Sequence, residues 1–119
     1  MNNNKPITER TEEFAIRIIK ACAFLSGQSD VSRTLSRQLL RSGTSIGANV
    51  HESQSAQSDR DFINKLEIAL KEARETEYWL KILIKSELVP EAKFKLLLDE
   101  CQQIVRILIT STGKLKQKL

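Results

Sequence analysis

The chain has 119 residues, of which 40% are hydrophobic and 29% are charged, a composition that excludes a disordered chain and is typical of one globular domain. Four glycines and two prolines leave few places for turns, which disfavours a many-stranded sheet and favours a few long helices. The formal net charge of +4 describes a mildly basic protein, so the placement of its charges matters more than their sum.

The first two predicted helices cover residues 8–26 and 31–53. An apolar residue recurs every three or four positions in the first helix, which places these side chains on one face. That stripe consists of Phe14, Ile18, Cys22 and Leu25. The inner face of the second helix consists of Leu35, Leu39, Gly43, Ile46 and Val50. Asp30 or Ser32 is expected to cap the second helix, because a side-chain oxygen can accept a hydrogen bond from a free backbone N–H.

The third predicted helix, residues 59–85, has the clearest pattern. Spacings of four and three alternate over about three heptads, the pattern of helices that pack nearly parallel. Its stripe consists of Phe62, Leu66, Ala69, Ala73, Thr76, Leu80 and Leu83. Ser58 followed by Asp61 resembles a capping box at its start.

The fourth predicted helix, residues 90–115, repeats this pattern. Its stripe consists of Phe94, Leu98, Cys101, Val105, Leu108, Thr112 and Leu115. Residues 86–89 form so short a link that the third and fourth helices must be antiparallel neighbours. The four helices predict an all-α protein, an up-and-down antiparallel four-helix bundle that forms a single domain over residues 1–119. The ends, residues 1–7 and 116–119, are expected to be flexible.

Residues 42–49 of the second helix are rich in small and hydroxyl side chains. Gly43 and Gly47 each cost a helix about 1 kcal/mol relative to alanine, so some compensating contact is expected. They are four residues apart and share a face, which indicates close approach of another helix. A break of the helix near Gly43 is the alternative interpretation.

The run from Arg37 to Glu52, followed by Asp61-Phe62-Ile63 and the stripe of the third helix, resembles a family of bacterial four-helix bundle proteins. The founding members of this family are encoded in intervening sequences of 23S ribosomal RNA genes. The most specific piece is a Ser-Ile-x-Ala-Asn-x-x-Glu pattern: Ser45, Ile46, Ala48, Asn49 and Glu52. The accessory variability determinant of diversity-generating retroelements is also similar, and the resemblance covers residues 9–115.

The resemblance implies a four-helix protomer, a ring-shaped homo-oligomer that is pentameric in relatives, and a basic surface that binds nucleic acid. It assigns no catalytic residue and no cofactor. It also implies a candidate partner protein, such as a reverse transcriptase. Usual members have proline or another residue where this chain has Gly47, so the local shape there is left open.

Arg33, Arg37 and Arg41 recur every four residues in the segment 31–50, which has no acidic residue. A guanidinium group binds a phosphate in bidentate fashion, so this arginine ridge predicts two or three phosphate contacts. The alternative is a solvated face, or ion pairs with the acidic residues of the third helix.

The C-terminal lysines are the second predicted nucleic-acid contact. Lys114, Lys116 and Lys118 can add affinity for phosphate. The alternative is that they complement the negative end of the fourth helix dipole.

Tyr78 and Trp79 are adjacent and therefore point in different directions. One ring is expected to reach the helix seam while the other faces outward. An outward aromatic ring is more typical of an oligomer contact than of a base-stacking platform, so both are predicted oligomer contacts.

Asn49, Glu52 and Glu77 are predicted structural polar residues. Asn49 and Glu52 are expected to hydrogen-bond the turn to the third helix or to fix helix register. Glu77 is expected to pair with an arginine of the second helix. His51 lies nearby, but the sequence contains neither a His-Glu-x-x-His motif nor a paired Asp cluster, so we expect no enzyme.

Cys22 and Cys101 fall on core stripes and are predicted to be buried, reduced thiols. A disulfide between the first and fourth helices is the alternative. Zinc-ligand spacing is absent from the sequence, so we expect no metal. We also expect a cytoplasmic protein with no signal peptide and no membrane contact, since the N-terminus is polar and the apolar runs are short.

These features predict a non-enzymatic, homo-oligomeric bundle that binds nucleic acid, RNA in particular, as an accessory factor. The alternative is a scaffold that docks a partner enzyme without touching nucleic acid, for which outward apolar positions such as Trp79 and Ile107 argue. The sequence leaves open the ring size, the choice between RNA and DNA, and the identity of a protein partner.

Overall fold

The computed structural model of the protein describes residues 4–119 and contains four α-helices in that part of the chain. They are α1 (Ile7–Leu25), α2 (Asp30–Ser53), α3 (Asp59–Lys85) and α4 (Glu91–Gln117). All four predicted helices are therefore present, within one or two residues of their predicted ends. Helix α4 continues through residues 116 and 117, and α1 begins at residue 7, so the predicted flexible ends are partly helical. Residues 1–3 of the first predicted end lie outside the described residues.

Serine side chains cap α2 and α3. The Ser58 hydroxyl accepts from the backbone N–H of Asp61 at 3.1 Å, as the capping-box pattern predicts. The carboxylate of Asp61 accepts from the backbone N–H of Gln57 at 3.2 Å, one residue before the cap. At α2 the cap is Ser29, whose hydroxyl accepts from the backbone N–H of Ser32 at 3.0 Å. The prediction of Asp30 or Ser32 as this cap is wrong, because the helix begins one residue earlier than expected.

Consecutive helices pack as neighbours, and α1 also contacts α4, which closes the bundle. Within residues 4–119 the diagonal pairs, α1 with α3 and α2 with α4, have no Cα atoms within 8 Å of each other. The apolar stripes predicted from the sequence meet in one core, and its largest fully buried side chains are Phe14, Phe94, Ile18, Leu25, Leu39, Ile46, Leu80, Leu83, Ile104 and Leu108. The all-α four-helix bundle is confirmed. In the described part of the chain, no helix combines the length and the apolar character needed to cross a membrane.

Gly43 and Gly47 lie on the face of α2 that contacts α1, and α2 is continuous through both. A Cβ atom on Gly43 would lie 2.8 Å from Cγ2 of Ile18. A Cβ atom on Gly47 would lie 3.1 Å from the carbonyl oxygen of Thr11. The missing side chains therefore let the two helices approach, which offsets the low helix propensity of glycine.

Polar groups inside the bundle hydrogen-bond between neighbouring helices. The Thr76 hydroxyl donates to the Ser42 hydroxyl at 2.9 Å and links α3 to α2. The thiol of Cys22 donates to the carbonyl of Ser36 at 3.4 Å, and that of Cys101 donates to the carbonyl of Ala73 at 3.3 Å. Both cysteines are buried and free, so they do not form the disulfide considered from the sequence.

Candidate nucleic-acid interface

The arginine ridge of α2 divides between two faces of the bundle. Four residues exceed one helical turn of 3.6 residues, so each step along the ridge rotates about 40° around the helix. Arg33 and Arg37 consequently border a groove between α1 and α2, together with Ile19 and Leu40. Arg41 has turned far enough to reach α3. The structure therefore does not place the three guanidinium groups on one surface.

The three arginines also differ in their partners. Arg41 pairs with Glu75 and lies 3.6 Å from Glu72, both on α3. Arg33 pairs with Asp30 at 2.9 Å, one turn away on α2. Arg37 is exposed and has no ion-pair partner among the described residues. Arg41 therefore forms the ion pair with the acidic residues of the third helix that was the alternative interpretation of the sequence.

Arg41 and Trp79 both donate to one carboxylate. The indole Nε1 of Trp79 donates to Oε2 of Glu75 at 3.1 Å, and Nη2 of Arg41 donates to the same oxygen. The hydrogen bond from Trp79 is the largest cause that holds the pKa of Glu75 below its ordinary value, and the hydrogen bond from Arg41 acts in the same direction. Partial burial raises this pKa but does not outweigh them. The same carboxylate raises the pKa of Arg41, so this ion pair stays charged near neutral pH.

The seam between α1 and α2 forms a shallow groove that changes character along its length. The end near the start of α2, of about 510 Å³, is lined by Arg33, Arg37, Ile19 and Leu40. The end near the start of α1, of about 600 Å³, contains acidic side chains and the single histidine. Its lining residues are Thr8, Glu9, Glu12, Ala15, Thr44, Gly47, Ala48 and His51. Only the first end has the charge that attracts a phosphate.

The C-terminal lysines lie at the opposite end of the bundle from Arg33. Lys118 lies beside Asp59 and Phe62 at the start of α3, close to where α2 ends. Lys116 pairs with Glu67 of α3, while Lys114 is exposed. The predicted ridge and the predicted lysine tail therefore do not form one continuous site.

Of the three predicted structural polar residues, one has the expected partner and two do not. Glu52 pairs with Lys65 at 3.2 Å and links the end of α2 to α3, as expected. Asn49 instead donates to the carbonyl of Ser45 at 2.8 Å, within its own helix. Glu77 accepts from Gln102 of α4 at 3.2 Å and pairs with Lys81 at 3.2 Å. An arginine of α2 is not its partner, because Glu77 faces α4 rather than α2.

The two adjacent aromatic rings face different environments. Trp79 is half-buried and packs against the core, whereas Tyr78 is 56% exposed. Their ring centroids are 5.1 Å apart and the planes meet at 71°, so the rings form an edge-to-face pair. Ile107, expected to face outward, is half-buried. Within residues 4–119, no three His, Cys, Asp or Glu side chains come together as a metal site.

Comparison with known families and structures agrees with this architecture. A family model described as "23S rRNA-intervening sequence protein" matches residues 3–110. The chain belongs to this family. A similar solved structure is the crystal structure of a protein with unknown function from the S23 ribosomal protein family of Bacteroides thetaiotaomicron. It is 44% identical, has a TM-score of 0.83, and the match covers 90% of this chain and 98% of that one. No curated protein matches the chain.

Two features of this 23S rRNA-intervening sequence protein were missed by the sequence analysis. The first is Arg10, which is buried and forms an ion pair with Glu100 between α1 and α4. No local signal marks its partner, which lies 90 residues away. The second is a row of cations on the outer face of α3. Separating the charges of that helix by face, instead of summing them, could have found it.

Proposed function

We propose that this protein is a non-enzymatic RNA-binding accessory protein that assembles with copies of itself and acts in the cytoplasm. The observation that carries RNA binding is the exposed Arg37, which has no acidic partner among the described residues and borders a groove with Arg33. The chain belongs to the 23S rRNA-intervening sequence protein family, for which the resemblance given above implies a basic surface that binds nucleic acid. The free, buried thiols of Cys22 and Cys101 fit a reducing compartment.

RNA binding can be tested by the anisotropy of a labelled structured RNA between about 50 and about 200 mM salt. The intact protein should bind with an affinity that falls steeply with salt, because displaced counterions are released from phosphates. The double variant R33Q/R37Q should bind more weakly and with a shallower salt dependence. The matched control is K93Q/K95Q, which removes the same charge from two exposed residues of α4 that lie outside the proposed contacts.

Two outcomes decide the assignment. If R33Q/R37Q binds like the intact protein, the basic end of the α1–α2 groove is not the RNA site. If K93Q/K95Q weakens binding as much as R33Q/R37Q does, the effect reflects net charge and not a surface. An intact protein that binds no RNA would refute RNA binding altogether.

Self-association is supported by a second apolar row on α1. Ile16 and Ile19 are about half exposed, at 49% and 50%. They lie three residues apart, Ile16 on the outer face of the helix and Ile19 at the border of the α1–α2 groove. The acidic Glu12 and the basic Lys20 flank them, so copies can pair through this row without like-charge repulsion. Neighbouring exposed apolar side chains of this kind are typical of a protein contact, and we assign a second copy of this chain to it.

Light scattering tests this assignment. The intact protein should have a mass that is a multiple of the 13.5 kDa protomer. The variant I16E/I19E should dissociate, because a carboxylate is costly in a buried contact. The variant Y78A serves as the comparison, since Tyr78 was the predicted contact. If Y78A dissociates the assembly and I16E/I19E does not, the contact lies on α3. A monomeric intact protein would refute self-association.

A further inference from the structure

The outer face of α3 carries four cations and one aromatic ring in a single row. Alternating spacings of three and four residues place these side chains on the same side of the helix, away from the core stripe. All five are exposed to solvent. This row, called the α3 outer stripe below, consists of Lys71, Arg74, Tyr78, Lys81 and Lys85.

The acidic residues of α3 beside this stripe have other partners. Glu72 and Glu75 face α2 and interact with Arg41. Glu67 lies in register with the stripe, four residues before Lys71, and pairs with Lys116 of α4. Glu77 pairs with Lys81 and also accepts from Gln102 of α4.

The stripe therefore keeps most of its positive charge available. Lys71, Arg74 and Lys85 have no ion-pair partner in the part of the chain that the structure describes, although Glu75 lies near enough to Lys71 to interact with it. Lys81 is the one stripe cation in an ion pair, with 3.2 Å between its Nζ and Oε2 of Glu77. These three unpaired cations, two at one end of the stripe and one at the other, attract a polyanion.

Tyr78 lies in the middle of these cations and is held in place from one side. Its ring makes an edge-to-face contact with Trp79, which is itself fixed by the hydrogen bond from its indole to Glu75. More than half of the Tyr78 surface nevertheless stays in solvent. The ring is thus accessible to a ligand while Trp79 contacts it from one side.

The surroundings of Tyr78 distinguish this stripe from the apolar row of α1. Lysine is depleted at protein–protein contacts, whereas tyrosine and arginine are enriched there, so the lysines of the stripe are what argue against such a contact. A solvent-exposed aromatic ring between cations is instead the combination used by surfaces that bind single-stranded nucleic acid. There the cations follow the phosphates and a base stacks on the ring.

We infer that the α3 outer stripe binds single-stranded nucleic acid, with phosphates on Lys71, Arg74 and Lys85 and one base stacked on Tyr78. The inference rests on the proposed nucleic-acid binding and moves its main surface from α2 to α3. A base can lie on the ring only when it is unpaired, so a single strand is the ligand and a duplex is not. From Lys71 to Lys85 the stripe spans about 21 Å, enough for a short oligonucleotide.

Trp79 provides a direct probe, because it is the only tryptophan of the chain and contacts Tyr78. Oligouridylate, oligodeoxythymidylate and an RNA duplex are titrated into the intact protein while tryptophan fluorescence and ligand anisotropy are recorded. Both single strands should bind and change the fluorescence, and the duplex should bind more weakly without changing it. A difference between the two single strands reports whether the 2′-hydroxyl contributes.

Variants separate stacking from charge. Y78A should weaken binding of the single strand by about tenfold or more, while Y78F keeps the ring and should bind like the intact protein. K71Q/R74Q should reduce the salt slope by about 1.4, the contribution of two phosphate contacts on a single strand. K93Q/K95Q loses the same charge on α4 and should leave both quantities unchanged.

The outcomes distinguish this inference from the proposed function. If Y78A binds oligouridylate like the intact protein, or if RNA binds without changing Trp79 fluorescence, the α3 outer stripe is not the site. Loss of binding in R33Q/R37Q alone would then place the RNA on α2, and the proposed function would stand. If the intact protein binds none of the three probes, both the inference and the proposed function are refuted. The stripe residues are exposed, so unchanged circular dichroism is expected of every variant.

Discussion

Arg10 and Glu100 form a bidentate ion pair between α1 and α4. Nε of Arg10 lies 3.1 Å from Oε2 of Glu100, and Nη2 lies 2.8 Å from Oε1. Nη2 also donates to Gln103 at 2.8 Å. Arg10 is only 4% exposed, and α1 with α4 is the least extensive of the four helix contacts. This polar cluster therefore helps to hold the closing seam of the bundle together.

Replacing Arg10 alone should be strongly destabilising. R10M leaves the carboxylate of Glu100 largely buried without its cation, and an uncompensated buried charge costs about 3 kcal/mol or more. The double variant R10M/E100L removes both charges and should recover most of that loss. The free energy of unfolding from urea denaturation measures both effects.

The exposed pair between Lys5 and Glu13 is the matched control. Its Nζ–Oε2 distance is 2.6 Å, but both side chains are more than one-third exposed. K5M should therefore barely change the urea midpoint, because solvent screens such pairs. A loss in R10M no larger than that in K5M would show that the buried pair does not stabilise the closing seam.

This pair also shows what a single sequence can and cannot predict. The core stripe of α3 and the capping box at Ser58 follow from spacings within one helix, and the structure contains both. Arg10 lies on the inward face of α1, one turn before Phe14, but its partner is reached only through the fold. Long-range pairing of this kind has no local pattern.

The candidate site, too, could be predicted from the sequence only in part. A spacing of four predicts neighbours on a helix, yet the rotation of about 40° per step carries Arg41 away from Arg33. Whether Arg41 is available for phosphate depends on Glu72 and Glu75 of another helix, which the sequence of α2 does not encode. The cations of α3 were hidden because that helix contains six acidic and six basic residues, so the sum of its charges shows no excess, although most of the acids lie beside the stripe and not in it.

Substitution by alanine should change the free energy of unfolding in opposite directions at Gly43 and Gly113. In G43A the new Cβ would lie 2.8 Å from Cγ2 of the fully buried Ile18, whose β-branched side chain has little freedom to move. We expect a loss of about 1–3 kcal/mol. In G113A the Cβ meets no atom within 4 Å, so the better helix propensity should add up to about 1 kcal/mol.

Thermal unfolding of the two variants measures this contrast. A G43A protein as stable as G113A would mean that α1 and α2 are farther apart than the structure shows. G113A must itself be no less stable than the intact protein, since an exposed glycine in a helix has no packing to lose.

The two cysteines should make the bundle sensitive to alkaline pH. Burial raises the pKa of Cys22 to about 11 and that of Cys101 to about 12, against an ordinary value of 9.0. The folded protein therefore retains protons that the unfolded chain releases. The resulting stability is complete below pH 9.0 and is lost as the pH rises towards the folded values.

Melting temperatures across this pH range measure the effect. The variant C22A/C101A should show a smaller decrease above pH 9.0 than the intact protein, although it starts from a lower stability. In the folded protein, iodoacetamide should react slowly with both thiols, because the reactive form is the thiolate. Rapid alkylation without denaturant would contradict the buried, protonated thiols.

Glu75 should titrate below its ordinary pKa, and Trp79 should report it. The indole donates to the carboxylate and Arg41 pairs with it, so both favour the charged form. The stabilisation from this ion pair is present above the ordinary value of 4.5 and is lost as the pH falls through the lower folded value. Trp79 fluorescence should therefore change with a midpoint below pH 4.5.

Two variants assign that midpoint to Glu75. E75Q has no carboxylate at this position, so the fluorescence change should disappear. R41Q keeps the carboxylate but removes the cation beside it, so the midpoint should move upward towards the ordinary value. K65Q, which loses a cation that pairs with Glu52 instead, should leave the midpoint unchanged. A midpoint at or above pH 4.5 in the intact protein would contradict this geometry, because neither the indole nor Arg41 could then be stabilising the charged carboxylate.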